Sequence, residues 1–363
     1  MSEYVKQHYV PQFYFRNFAN DERVCTYNLG NEESYQPTPI KNICYENNFY
    51  GSKKLEKDLS KLESELASII HDIVDSKSLK PIEGDQEARY LLDFFISHTH
   101  GRTKAAKIES EDFSQEFLEM AAEFGVRSGK LEDKHLEMVK DGEIKLEGPH
   151  HANRQFVSSY GPLHFLNMNR ILIYNATNKD FITSDHPIVL DNPRFKNEIS
   201  VGTTGYASRG LQIFCPLSPN ACLFLFDPIV YGIESNSKYT TIVKDTNTVE
   251  DINKLQLINC LENTYFREEA DGEWIDKLYQ DVKNERSDET VNRKQQKMYD
   301  EERGEEREFV ITHQTEFKFT PNLPFVTQKP LVPFSPVRDE QLVKNIRKIK
   351  QEDLEEAKQE ERD

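Results

Sequence analysis

An aspartate follows a short apolar segment, in the run Thr-Ser-Asp-His-Pro at positions 183–187. Pro187 favours an extended backbone at the residue before it, so the chain leaves the segment in a restricted direction. Asp185 could therefore serve as a metal ligand or as a general base. The alternative is structural, because an aspartate at the start of a loop often accepts hydrogen bonds from nearby backbone N–H groups.

Three polar residues near the N-terminus lie at helical spacing. His8, Gln12 and Arg16 are each four residues apart, and they offer a ring nitrogen, an amide and a guanidinium. On a short helix starting near Pro11, this set could clamp a phosphate or a carboxylate. Alternatively, His8 satisfies a buried carbonyl group and Arg16 pairs with an acid of the helix predicted at 55–74.

Arg102 comes directly after a strongly apolar segment that ends in His98-Thr-His-Gly101. An arginine there could bind an anion, or it could hold two elements of the structure together. His98 and His100 should point apart, because residues two apart on a helix diverge by about 200°. His150-His151 could help to bind a divalent metal ion, although histidines of surface loops usually bind nothing.

Several well-known functional signatures do not occur in the sequence. It contains no G-x-x-x-x-G-K-[ST], G-x-G-x-x-G, H-E-x-x-H or G-x-S-x-G pattern. The formal net charge is -17, so the chain as a whole has no electrostatic attraction for the phosphate backbone of nucleic acids. These observations disfavour nucleoside triphosphatases and Rossmann dehydrogenases.

The helices that must position these residues are predicted from apolar periodicity. Leucine and isoleucine recur every three or four residues over Leu55–Val74, which indicates one buried stripe. A second helix is predicted over Gln86–Ala106. The segment 338–363 is predicted to form a charged terminal helix, and the polar segment 283–308 to be a solvated helix or disordered.

Short segments between Arg170 and Phe226 have the composition of strands, and residues typical of turns separate them. We expect them to form a mainly antiparallel sheet, because their connections are too short for helical crossovers. The predicted fold class is α+β, with an N-terminal helical region packed on this sheet. We expect one body over 1–282, a polar charged insert over 283–308, a late strand and Pro-rich segment that pack back over 309–336, and a charged helix over 337–363.

The cysteines and the N-terminal sequence indicate in which cellular compartment the protein is expected. Five cysteines form an odd set without any C-x-x-C spacing, which disfavours a disulfide framework. The N-terminus has no apolar stretch typical of a signal peptide, and no segment approaches the length of a membrane span. We therefore expect a cytoplasmic protein that does not contact membranes.

Five separated pieces of the sequence resemble one known family. They are His8–Tyr14, Lys41–Tyr50, Gly101–Thr103, Phe181–Pro187 and Phe214–Pro219. Together they resemble the bacterial and prophage family catalogued as domain of unknown function 4238, from about residue 5 to about residue 265. The family usually has Asn where this chain has His186, and it often has Pro where this chain has Lys104. The resemblance implies a bacterial or phage origin and leaves the chemistry open.

Two functions from different classes follow from these residues. The first is a metal-assisted hydrolase of the phosphodiesterase or nuclease type, for which phage defence is one expected context, with Asp185, His8 and Arg102 as catalytic residues. Gln12 and Arg16 would then bind a phosphate-containing substrate, and a divalent metal would be the cofactor. The second is a non-catalytic binding or regulatory protein that recognises a protein or peptide, with an aromatic surface around Tyr9, Tyr45 and Phe49.

Overall fold

The structure is a computed structural model, and it describes residues 6–47, 49, 53–197, 203–286, 291–300, 305–314 and 318–360. The helices in chain order are α1 Gln12–Arg16, α2 Lys53–Ser76, α3 Gln86–Gly101, α4 Lys104–Arg127, α5 Asp133–Lys140, α6 Pro149–His164, α7 Thr246–Asn259, α8 Gly272–Val282 and α9 Glu340–Glu360. The strands are β1 Lys6–His8, β2 Arg23–Asn28, β3 Glu33–Pro39, β4 Tyr45–Asn47, β5 Asn169–Asn175, β6 Thr183–Ser184, β7 Val189–Asp191, β8 Gln212–Ser218, β9 Ala221–Phe226, β10 Tyr231–Ile233, β11 Thr240–Val243, β12 Asn263–Phe266, β13 Val291–Asp300, β14 Glu305–Gln314 and β15 Val326–Gln328.

The fold is α+β, as predicted, and its central sheet has the strand order β11-β5-β9-β8-β7. Neighbouring strands are antiparallel except for β11 and β5, which are parallel. Side chains alternate across this sheet: Leu172 and Leu223 lie in the core cluster on one face, and Ile173 and Phe224 lie in the cluster on the other. Burial on both faces explains why β8 and β9 are buried throughout.

Two layers cover the central sheet. The N-terminal helices contribute Phe15, Ile70 and Phe95 to the cluster on one face. Helix α7 contributes Val249 to the opposite cluster, where the C-terminal segment adds Leu323. The helical region therefore packs on the sheet as the periodicity of α2 and α3 predicts.

A second sheet has the order β3-β2-β12-β6 and is antiparallel in each pair. The prediction that all strands of 170–226 join one sheet is wrong, because β6 pairs with β12 in this second sheet. The composition of residues 181–184 predicts a strand but not the strand with which it pairs, because β12 is distant in the sequence.

The predicted single helix over 86–106 is also wrong, because it is two helices with a break at Arg102. Thr103 starts α4 by accepting a hydrogen bond from the Ala106 N–H at 3.2 Å, which makes it an N-cap. Gly101 ends α3 where α6 approaches closely, since a Cβ at this position would meet Val157 at 3.0 Å. The break places Arg102 inside the molecule.

The prediction of a solvated helix or disorder over 283–308 is wrong where the structure describes this segment. Strands β13 and β14 form an antiparallel hairpin whose register runs from the pair Val291 and Gln314 to the pair Asp300 and Glu305. A highly polar sequence gives little periodic signal, so the pairing of the two strands could not be read from it. The terminal helix is observed as α9. Each helix within the described ranges is too short or too polar to cross a bilayer.

Candidate functional site

Arg102 is the most extensively bonded of the predicted site residues, and its side chain is only 3% exposed. Its Nη2 donates to the carbonyl oxygen of His8 at 2.7 Å and its Nε to that of Tyr9 at 3.0 Å. Its Nη1 donates to Glu63 of α2 at 3.2 Å and to His98 Nε2 at 3.1 Å. The guanidinium thus joins the N-terminal strand, α2 and α3, which is the role of a structural connector.

His8 and Gln12 meet, although His8 lies in β1 and only Gln12 and Arg16 are on α1, and Arg16 does not join them. Gln12 Nε2 donates to His8 Nδ1 and the His8 Nε2 N–H donates to the Lys41 carbonyl, both at 3.3 Å. Burial lowers the pKa of His8, which favours the neutral ring that these bonds require. Arg16 is exposed and pairs with Glu22 at 3.0 Å. The alternative in which Arg16 pairs with an acid of α2 is wrong, and Arg102 makes that pair instead.

Asp185 directly follows β6 and is 3% exposed. One carboxylate oxygen accepts the N–H of Leu261 at 2.8 Å, and the other accepts those of Glu262 and Asn263 at 2.9 Å each. Burial raises the pKa of Asp185 to about 6, while these three hydrogen bonds act in the opposite direction. Both oxygens fasten the turn between α7 and β12. The structure therefore brings His8, Gln12 and Arg102 together, and it directs Asp185 to a different segment.

A buried imidazole network, which the sequence did not reveal, links the same region to α3. His186 Nδ1 lies 2.6 Å from Thr103 Oγ1, and its ring centroid lies 5.1 Å from that of His100. His100 Nδ1 is in turn 2.9 Å from the Tyr206 hydroxyl. Burial lowers the pKa of His100 to about 4 and also lowers that of His186, so both rings are neutral near pH 7. Within this network, the contact between Thr103 and His186 was the easiest to predict, because both residues lie in sequence pieces that carry the resemblance.

The five separated sequence pieces are bonded to one another in the interior. The Tyr14 hydroxyl of the first piece donates to the Pro216 carbonyl of the fifth at 2.6 Å and lies 2.7 Å from Thr183 Oγ1 of the fourth. Tyr9 N–H donates to the carbonyl of Cys44 in the second piece at 2.9 Å. Arg102 and Thr103, from the third piece, complete the connections described above. These residues form a network that organises the core.

The described residues offer little support for a metal centre. Among them, no group of three or more His, Cys, Asp or Glu side chains is arranged to hold a metal ion. None of the five predicted site residues lines any of three cavities bounded by described residues. Phe49, which was expected on an aromatic binding surface, is only 5% exposed and packs between Tyr9 and His150.

An exposed aromatic stripe runs along α4. Phe113, Phe117 and Phe124 are 48%, 52% and 61% exposed, and Met120 lies between them at helical spacing. Ala105, Ala106 and Ala122 on the same helix are buried. Small residues of α4 are therefore buried against the body, whereas Phe113, Phe117 and Phe124 face outward.

Fold and site together define an α+β protein whose most distinctive polar residues form a buried structural network. The family described as Protein of unknown function (DUF4238) matches residues 6–270 of this chain, and the chain belongs to that family. The match covers all five pieces that carry the resemblance. Among curated proteins and solved structures, none matches the chain.

Proposed function

We propose that this protein is a binding protein without a catalytic centre, and that α4 recognises a basic amphipathic helix of a protein partner. The observation that carries the proposal is the exposed stripe of Phe113, Phe117 and Phe124. Contiguous exposed apolar side chains on a folded protein commonly mark an interaction surface.

The spacing of the stripe fits a helical partner. The intervals from Phe113 through Phe117 and Met120 to Phe124 are four, three and four residues, which places all four side chains within an arc of about 60°. Such a seam is the pattern by which one helix packs along another. The stripe is about 16 Å long at 1.5 Å per residue, so it would accommodate three turns of a partner helix.

The charges beside the stripe specify the partner further. Helical geometry places Asp112, Glu116 and Glu123 along one edge, where Glu123 also pairs with Lys140 of α5 at 3.9 Å, whereas Ser114 and Ala121 lie along the other. An acidic edge favours a partner with lysine or arginine beside its apolar face. A second copy of this chain fits less well, because its net charge is also -17 and its own stripe has the same acidic edge.

The bonding of the predicted catalytic residues supports a function that does not use them. The polar atoms of Arg102 and Asp185 are engaged by carbonyl and N–H groups of the backbone, so a substrate or metal would have to displace these partners. The hydrolase that uses Asp185, His8 and Arg102 stays a prediction. We also propose that the protein is cytoplasmic. Its five cysteines are buried and form no disulfide, which is typical of proteins in a reducing compartment.

Fluorescence anisotropy with synthetic helical peptides tests the proposal on the full chain. One labelled peptide carries Leu on one face and Lys on the other, and a matched peptide carries Glu in place of Lys. We expect the Lys peptide to bind and the Glu peptide not to bind. Phe113→Ser should weaken binding roughly tenfold, since it removes an exposed anchor, and Glu116→Lys should weaken it by charge repulsion.

Phe156→Ser is the matched control, because Phe156 is 48% exposed like Phe113 but lies on α6. Unchanged binding by this variant supports the assignment to α4. Equal losses in Phe113→Ser and Phe156→Ser would contradict it, as would a wild-type protein that binds neither peptide or binds both equally.

A further inference from the structure

The hairpin formed by β13 and β14 lies outside the part of the chain that matches the family, because that match ends at residue 270. Within the described part of the chain, its two strands pair with each other and with no third strand. A two-stranded hairpin is only marginally stable in water by itself. Its contacts with the rest of the molecule therefore determine where it lies.

Both ends of the hairpin are fixed to α7. Before β13, the Arg286 guanidinium donates to the carbonyl oxygens of Leu257 and Cys260 at 2.9 and 2.7 Å. After β14, the Asn322 N–H donates to the Asp251 carboxylate at 2.7 Å. Each strand has 10 residues and extends about 33 Å. The hairpin therefore has a fixed base and two long strands that extend from it.

The first strand of the hairpin reaches α4. Cα atoms of β13 and α4 come within 8 Å of each other at several positions. Among the described elements, the hairpin approaches no other helix as extensively. Phe113, Phe117 and Phe124 nevertheless stay exposed in the presence of the hairpin. Strand β13 therefore lies beside the aromatic stripe of α4 and does not cover it.

The charges of β13 and α4 are opposite. Strand β13 contains three basic residues and one acidic residue, whereas α4 contains six acidic and three basic residues. The other strand, β14, is acidic like α4, with three glutamates and one arginine. The strand that approaches α4 is thus the one whose charge is complementary to it. The basic residues of β13 are Arg293, Lys294 and Lys297.

We propose that β13 is an internal competitor of the partner helix: it docks beside the aromatic stripe through its basic residues and must leave when a basic helix binds. This regulation rests on the function proposed above, because it concerns the same surface of α4. A tethered competitor needs little intrinsic affinity, since its effective concentration is typically in the millimolar range. If β13 occupies α4 about nine-tenths of the time, the apparent Kd of the partner rises about tenfold.

Neutralisation of β13 in the full chain tests the proposal. The β13 variant replaces its three basic residues with a long polar residue: Arg293→Gln, Lys294→Gln and Lys297→Gln. The matched control removes one arginine and two lysines from exposed positions of α9: Lys344→Gln, Arg347→Gln and Lys348→Gln. Both variants lose three positive charges, so a general effect of net charge on peptide binding would be equal in the two.

The first measurement is the affinity for the Lys peptide by fluorescence anisotropy. We expect the β13 variant to bind this peptide roughly tenfold tighter than the wild type, because its binding surface is no longer occupied. The α9 control should stay close to the wild type. Thermal melting of both variants checks that the body of the protein is folded.

The second measurement needs no partner. Hydrogen exchange of the free proteins, followed by mass spectrometry, reports whether β13 is held against the body. We expect exchange over 291–300 to be faster in the β13 variant than in the wild type and the α9 control, because a detached hairpin opens more readily.

The two measurements separate this inference from the proposed function. Equal exchange over 291–300 in the three proteins would overturn the inference, and so would equal peptide affinities of the β13 variant and the α9 control. Partner binding by α4 would stand in either case if the wild type binds the Lys peptide. Faster exchange in the β13 variant, without peptide binding by any of the proteins, would support the docking of β13 and contradict the proposed partner helix.

Discussion

Asp185 and Arg102 are buried charged side chains that the backbone holds in place. Asp185 accepts three N–H groups of the turn 261–263, and Arg102 donates to two carbonyl oxygens of the N-terminal segment. Hydrogen bonds of this kind compensate the loss of hydration on burial. At the residue scale, truncation of either side chain leaves several backbone groups unpaired at once.

Asp185→Asn should destabilise the protein by about 1–3 kcal/mol, because the new amide NH₂ group would face a backbone N–H. Thermal and urea unfolding with and without Mn²⁺ provide the measurement. Asp75→Asn, at an exposed position of α2, is the control. A variant of unchanged stability, together with a wild type stabilised by Mn²⁺, would instead favour the metal-assisted hydrolase.

The buried imidazoles make stability depend on pH. The pKa of His100 is lowered by burial from its usual value to about 4, so the unfolded chain binds more protons below about pH 6.5. The stabilising contribution is complete above pH 6.5 and is lost as the pH falls towards 4. Between pH 7.5 and 5.0, His100→Gln should therefore lose about 1–2 kcal/mol less stability than the wild type.

Urea unfolding at the two pH values measures this difference. His71→Gln changes an exposed histidine of α2 and should keep the wild-type pH dependence. Equal pH dependence in all three proteins would show that the protonation of His100 does not contribute to acid destabilisation.

At the scale of elements, α2 illustrates how one stripe of side chains attaches a helix to the sheet. Leu66, Ile70 and Ile73 are buried in the cluster on one face of the central sheet, and Leu62 is half-buried beside them. On the other face, Lys61, Asp72 and Asp75 are exposed. A substitution at a buried position of α2 should therefore destabilise the protein more than one at a half-buried or exposed position.

Leu66→Ala should lower the free energy of unfolding by about 2–5 kcal/mol, through lost burial and the cavity that remains. Leu62→Ala should cost less, because Leu62 is only half-buried. Chemical denaturation gives the values, and Lys61→Ala should stay within about 0.5 kcal/mol of the wild type. A Leu66→Ala variant as stable as Lys61→Ala would mean that α2 faces the core with a different side.

At the scale of the whole molecule, the family region does not complete the core by itself. Phe319, Leu323 and Phe325 lie beyond residue 270 and pack in the cluster on the far side of the central sheet. Arg338 fastens the end of this segment, donating to the carbonyl oxygens of His164, Tyr206 and Ser208. Burial lowers the pKa of Arg338 to about 10, yet the group stays charged near pH 7.

Arg338→Ala should destabilise the protein by about 2–4 kcal/mol, because it leaves several buried carbonyl groups without donors. Differential scanning calorimetry of the full chain gives the change in Tm. Arg347→Ala, on the exposed side of α9, is the matched control. The same Tm in both variants would show that the C-terminal segment contributes little to the body.

The sequence by itself determined the α+β class, the stripe of α2, the family and the extent of its resemblance. These properties depend on local periodicity or on motifs, which are present in the order of residues. His8 and Gln12 do meet, but the reason is not a shared helix face, because His8 lies in β1 and Gln12 begins α1.

Only the tertiary structure decided what the polar motif residues contact. The Asp185 carboxylate meets a turn 76 to 78 residues away, and Arg102 meets carbonyl groups 93 and 94 residues away. The partner of β6, the break between α3 and α4, and the pairing of β13 with β14 likewise depend on contacts between distant segments. Neither composition nor spacing encodes these contacts locally, because each arises when separate elements bury their apolar faces against one another and must satisfy the polar groups trapped between them.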